Sequence, residues 1–217
     1  MRRATGTASA TAALFALAST LGWETQASAA TFGASWQFNE TSGLALDSSG
    51  NGNSGTLNGG VTRTGSVYDF DGSTGYVSVP DSSTLDPGSG NIALTVRFNV
   101  DPVPQNYDFD LVRKGLSTTT GGDYKAEIVY GGRALCHFRG NKSSATITGG
   151  SGLESGTHVL KCVKTGSSVK LLVDGSVKAS KSVTVGSISN SSSVPLGAKP
   201  GDDFTSGVID YVTITTS

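Results

Sequence analysis

Apolar and polar residues alternate along most of the chain, the two-residue period that gives a β-strand one buried and one solvated face. The clearest stretch is residues 92–100, where even positions are apolar and Thr95, Arg97 and Asn99 stand between them. Asp101-Pro102-Val103-Pro104 follows and ends the strand, because proline removes a ladder donor. The same pattern predicts strands at 32–38, 67–70, 76–79, 111–112, 124–130, 134–138, 145–147, 158–163, 169–173, 177–185 and 208–214. Gly131-Gly132, Gly140-Asn141 and Asp174-Gly175 are hairpin signals, and Asp174-Gly175 suits a type I′ turn, with positive φ at both central residues. Nothing beyond the N-terminal region reads as a helix. So many short antiparallel strands in one domain predict an all-β, two-sheet sandwich or jelly roll.

The N-terminal 29 residues read differently. Arg2 and Arg3 precede an apolar run over 10–21, and Ala27-Ser28-Ala29-Ala30 offers small residues for cleavage. This is the composition of a secretory signal peptide, with cleavage expected after Ala29 and a mature domain at 30–217. The run is shorter than the roughly 20 residues a spanning helix needs, so a secreted, extracellular domain without membrane insertion is expected. Cleavage would move the net charge from -1 to -2, a balance that argues against nucleic-acid binding, which calls for a basic face. The two cysteines, Cys136 and Cys162, form an even count in an exported chain and are expected to pair. The His and Cys spacings contain no C-x-x-C and do not suit zinc.

Candidate chemistry concentrates in two places. The loop 47–60 carries Asp47, Asn51, Asn53 and Asn58 among glycines, and the turn Asp71-Gly72 lies between two short strands. Oxygen-rich side chains of little bulk suit calcium, which takes six to eight oxygen ligands. They equally suit tight turns, in which Asp and Asn cap their own backbone. Asp210 interrupts an apolar strand and needs an ion, a hydrogen bond or a partner to be tolerated there. In the middle of the chain, Tyr124, Tyr130, His137 and Arg139 could converge on one sheet face as a ligand site, while Trp36 beside Phe38 belongs to the core.

The order of motifs resembles a bacterial laminin-G-like domain of the concanavalin A-like lectin/glucanase superfamily. It runs from Trp36-Gln37-Phe38 and Glu40-Thr41-Ser42-Gly43 through Ala45-Leu46-Asp47-Ser48-Ser49-Gly50-Asn51-Gly52-Asn53 to Phe70-Asp71-Gly72 and Tyr76-Val77-Ser78-Val79-Pro80. The strand at 92–98, the hairpin Leu172-Val173-Asp174-Gly175 and the closing Phe204-Thr205-Ser206-Gly207-Val208-Ile209-Asp210-Tyr211-Val212 complete it. The resemblance implies a concanavalin A-like jelly roll that binds a polysaccharide, a cell-surface glycan or an extracellular protein. It also implies calcium at the sandwich edge, with Asp47, Asn51, Asp71 and Asp210 as candidate ligands and Asp210 brought towards Asp47. A structural or adhesive role is the alternative. A hydrolase is disfavoured, because no E-x-D-x-E occurs and Glu40, Glu127 and Glu154 stand isolated, with Asp108-Phe109-Asp110 in a loop-like stretch. A lyase lacks the Arg-rich strand and Gln-x-His that should accompany Tyr124-Lys125-Ala126.

Overall fold

The structure, a computed structural model, describes residue 1 and residues 31–217. The expected signal peptide lies outside the described residues. Five short strands come first: β1 (Thr31–Trp36), β2 (Thr56–Asn58), β3 (Val61–Thr64), β4 (Val67–Asp71) and β5 (Tyr76–Val79). A 3-10 turn, Ser83–Leu85, precedes β6 (Ile92–Val100), β7 (Asp108–Lys114), β8 (Asp123–Val129), β9 (Arg133–Arg139) and β10 (Ser144–Gly149). The chain closes with β11 (His158–Lys164), β12 (Ser168–Val173), β13 (Ser176–Ser182), β14 (Val194–Leu196) and β15 (Ser206–Thr216).

These strands make two antiparallel sheets. One runs β13-β12-β11-β6-β15-β4-β3, with β1 also paired to the long β15. The other runs β10-β9-β8-β7-β14-β5-β2. Alternation is what lets them stack. In β6 the residues Ile92, Leu94, Val96, Phe98 and Val100 are buried, while Arg97 and Asn99 are exposed. In β9 the residues Ala134, Cys136 and Phe138 point inwards with the same period. The inner faces enclose one apolar core that includes Trp36, whose indole N–H donates to Asn53 O at 2.8 Å.

Cys136 of β9 and Cys162 of β11 form a disulfide inside that core, with Cα atoms 5.5 Å apart. It ties one sheet to the other, and closing a loop of this length contributes roughly 3–4 kcal/mol in the chain-entropy model. The hairpin turns follow their sequence signals too. Asp174 and Gly175 have φ of 49° and 75° between β12 and β13, as the type I′ geometry requires.

Two readings from the sequence change. Residues 108–110 are not loop but the start of β7, which carries a bulge at Leu111. The short strands β2, β3 and β14 were not expected from the pattern.

Candidate functional site

The carboxylates of the N-terminal turns are held by the backbone. Asp47 Oδ1 accepts from the amides of Ser35 and Ser49, both at 2.9 Å, and Oδ2 accepts from the amide of Asn53 at 2.9 Å and the Ser49 hydroxyl at 2.8 Å. Burial opposes ionisation, yet the amides of Ser35, Ser49 and Asn53 keep the carboxyl below its usual range. Asp71 is held in the same way. The amides of Ser73, Thr74 and Gly75 lie at 2.8–3.0 Å, and the hydroxyls of Ser73 and Thr74 complete the cage. Against a slight burial, these bonds hold Asp71 well below the usual range.

The four expected metal ligands do not form one set. Trp36 lies between Asp47 and Val212, so a strand separates Asp47 from Asp210. Asp210 occupies a bulge of β15 and pairs with Arg97 of β6, which explains a carboxylate within an apolar strand. Asn51 donates to Gly33 O at 3.1 Å. Where a cation would approach Asp47 or Asp71, N–H and O–H hydrogens already point at the oxygens. Among the described residues no three His, Cys, Asp or Glu side chains come together in a metal-holding group. The donor set therefore does not fit calcium.

The mid-chain candidates divide. Tyr124 is fully buried, on the inward phase with Ala126 and Ile128, and its hydroxyl donates to Leu85 O at 3.0 Å. Burial, with Asp86 and Asp81 nearby, pushes that phenol well above its usual pKa. Tyr124 is thus a core residue and not part of a ligand face. Tyr130 is exposed but sits past the end of β8, next to the pair Val129–Arg133, at the opposite end of the hairpin from His137 and Arg139. Only His137 and Arg139 meet.

They meet on the outer face of the seven-stranded sheet, through Asp123. Arg139 Nε donates to Asp123 Oδ1 at 2.5 Å, and His137 Nε2 lies 3.1 Å from Asp123 Oδ2. An ionised carboxylate only accepts, so Nε2 carries a proton towards Asp123, and Nδ1 shares a hydrogen bond of 2.7 Å with the Thr146 hydroxyl. Arg139 also donates to Leu116 O and Thr119 O, at 3.0 and 2.7 Å, fixing the loop 115–122 as a wall. That loop requires Gly121 and Gly122. Both have positive φ, and a Cβ would stand 1.8 Å from Ser189 O in the first case and 2.2 Å from Arg139 O in the second.

Next to this network the outward residues of β7 and β8 form a second one. Asp110 stands directly opposite Glu127 in the ladder. Their burial is nearly complete, 0% and 1% exposed, because the segment 197–205 folds across β7. Gly197 donates to Leu111 O at 3.0 Å, Asp110 donates its amide to Asp203 O at 3.2 Å, and the Thr205 hydroxyl donates to Asp110 O at 3.0 Å. Arg113 reaches Asp110 Oδ2 from Nη2 at 2.7 Å and lies 4.0 Å from Glu127 Oε2, while Lys125 pairs with Glu127. Asp110 Oδ1 receives no hydrogen bond. Burial, aided by the neighbouring Asp110 charge, raises Glu127 from 4.5 to about 7, and burial also raises Asp110 in spite of Arg113. Glu127 is therefore not isolated.

Both networks border one open depression of about 460 Å³. Arg113, Lys125, His137 and Asp123 form its floor, with Leu116 of the 115–122 loop and Lys199 of the covering segment at its sides. Sequence reasoning missed Arg113, Lys125, Asp123 and the acid pair. The signal present was alternation in β8, where Tyr124, Ala126 and Ile128 point one way and Asp123, Lys125 and Glu127 the other.

Comparison with solved structures shows the same sandwich in larger binding proteins. The receptor-binding domain of a botulinum neurotoxin C/D mosaic serotype matches with a TM-score of 0.66 at 12% identity, over 85% of this chain and 47% of that one. The binding domain of Paraclostridial Mosquitocidal Protein 1 matches at 0.67 and 13%, over 85% and 48%. A structure of botulinum neurotoxin type C, a toxin whose cell entry depends on interaction with two ganglioside molecules, matches at 0.65 and 12%, over 83% and 46%. The chain spans about half the length of these structures, and at such identities the likeness is one of fold. No curated protein sequence matches the chain. A laminin-G-like family profile covers residues 71–217, from the Asp71 turn through both sheets to the last strand. The chain belongs to the concanavalin A-like lectin/glucanases superfamily.

Proposed function

We propose that this is a secreted, non-catalytic binding domain whose ligand, a saccharide, occupies the depression on the outer face of the seven-stranded sheet. The observation that carries the reading is preorganisation. Arg113, Lys125 and His137 line the depression, and each is already held by an acid of its own network. Polar groups fixed before the ligand arrives give orientation and specificity at low entropic cost. One structural neighbour, botulinum neurotoxin type C, depends on gangliosides for cell entry, which supports a glycan. The core disulfide and the basic-then-apolar N-terminus support export.

Hydrolysis is the weaker reading. Asp110 and Glu127 are shut beneath Arg113, Lys125 and the 197–205 segment and are almost wholly withdrawn from the surface a substrate would touch. A protein partner is the second reading. One structural neighbour is bound to rat synaptotagmin II, and here Leu116 and Tyr130 are exposed on or near the same sheet.

A glycan array probed with the wild type, Lys125→Ala and Tyr130→Ala tests the choice. The expected result is a saccharide signal that falls at least about tenfold in Lys125→Ala, the scale of one lost charged hydrogen bond, and is unchanged in Tyr130→Ala. Loss in Tyr130→Ala alone would move the site to the hairpin tip. A blank array, with retention on glycan-stripped cells, would favour a protein partner.

A further inference from the structure

The depression offers no aromatic platform. Its apolar lining comes from Leu116 and Leu135, and apart from His137 the remainder is charged or hydroxylated. A site of this kind distinguishes ligands by charge more than by stacking, so the charge balance beneath it decides the ligand class.

Most other cations here already have carboxylate partners. Asp123 offsets Arg139 and lies 3.1 Å from His137 Nε2, while Asp202 and Asp203 hold Lys199 at 2.7 and 2.9 Å. The acid pair stands apart. Asp110 from β7 and Glu127 from β8 face each other directly, away from water, with Arg113 and Lys125 above them. Asp108 of β7 and Asp203 of the covering segment add negative charge from either side. Two carboxylates so placed do not both ionise readily, and Asp110 Oδ1 lacks any donor that would stabilise a second charge. With one proton on the pair, two fixed cations stand over a single negative charge. Along the depression itself Arg113, Lys125 and Lys199 outnumber the carboxylates Asp123 and Asp203 by one.

We propose that the depression takes an acidic saccharide, its carboxylate beside Arg113 and Lys125, and that binding is coupled to a proton held by the Asp110–Glu127 pair. The proposal rests on the saccharide reading above and gives it a ligand class. A bound anion repels charge on the pair and so makes it hold the proton more tightly. The position of Glu127, raised to about 7, puts this coupling within the neutral range.

Isothermal titration of the protein with trigalacturonate, 3′-sialyllactose and lactose at pH 6, 7 and 8 tests it. Trigalacturonate carries carboxylates along the chain and sialyllactose a terminal one, so the two separate the sources of the acidic group. At least one acidic sugar should bind roughly fivefold more tightly at pH 6 than at pH 8, the change expected when the bound anion strengthens proton binding about tenfold. Runs in buffers of different ionisation enthalpy should show net proton uptake at pH 8, a result that needs no variant. Glu127→Gln should hold the affinity near its pH 6 value throughout. Acidic-sugar binding that ignores pH, or a pH slope that survives in Glu127→Gln, would overturn the coupling, the latter by moving the proton to His137. Equal binding of lactose and the acidic sugars would overturn the ligand class while leaving the saccharide reading intact. No binding of any sugar at any pH would overturn the saccharide reading itself.

Discussion

Asp47 and Asp71 at the N-terminal turns, and Asp110 and Glu127 on the outer sheet face, are the same chemical group in opposite surroundings. The first two are ringed by backbone N–H and hydroxyl donors and held below their usual range. The second two lie against one another, buried, and are raised. A turn carboxylate that takes four or five hydrogen bonds from nearby amides and hydroxyls has its oxygens committed to the fold, as part of the backbone's hydrogen-bond accounting. A carboxylate pair held under two cations leaves an electrostatic tension that a proton can relieve. The loop richest in oxygen was the natural place to expect chemistry, and it is the region that the fold itself uses up.

Removing the cage should have the largest effect. Asp47→Ala orphans the amides of Ser35, Ser49 and Asn53 together and should cost about 2–4 kcal/mol in chemical denaturation, given 1–3 kcal/mol per unsatisfied buried group and partial rescue by water. Because the folded state lowers Asp47, the ionised carboxylate's contribution is present above the ordinary carboxyl range and lost as pH falls through the folded value. The stability gap between wild type and variant should therefore narrow in acid. A gap that stayed constant down to low pH would mean that the cage does not depend on the charge of Asp47.

The acid pair should respond with the opposite sign. Glu127 is raised, so the folded state is penalised wherever the unfolded chain is ionised and the folded one resists. Stability from this group should increase as pH falls from about 7 towards 4.5. Glu127→Gln should therefore stabilise the domain at pH 8, by about 1–3 kcal/mol, and the gain should vanish near pH 4.5. A loss of stability at pH 8 would mean that the Lys125 and Arg113 pairs outweigh the repulsion.

Tyr124→Phe removes one buried hydroxyl bond, to Leu85 O. It should cost about 1 kcal/mol in thermal denaturation and leave ligand affinity unchanged, whereas a fall in affinity would return Tyr124 to the site. The smallest effect is expected from chelator: no shift in melting temperature, since amides and hydroxyls already occupy Asp47 and Asp71. A drop on chelation would reopen the calcium reading of those turns.

What was legible in the chain follows from the same physics. Strand β6 runs over the residues its alternation marks, and the cysteines pair because β9 and β11 present them to one core. The inward phase of Tyr124 was also written in the sequence, since it shares parity with Ala126 and Ile128. The acid pair was not. Asp110 and Glu127 meet only through the register of β7 on β8 and the bulge at Leu111, which no local pattern encodes. Their burial depends on a segment some 90 residues away in the chain closing over β7. β14 escaped notice because it is three residues long and centred on Pro195.

On the reading proposed above, ligand binds the charged outer face of β7–β10 and not the oxygen-rich N-terminal loop. Amide chemical-shift mapping of the 15N-labelled domain, titrated with an acidic saccharide at pH 6, separates the two. Perturbations are expected to cluster at Arg113, Lys125, His137 and Thr146, with Asp47 to Asn53 unmoved. Perturbations clustered at Asp47 to Asn53 or at Tyr130, with the outer face silent, would contradict it.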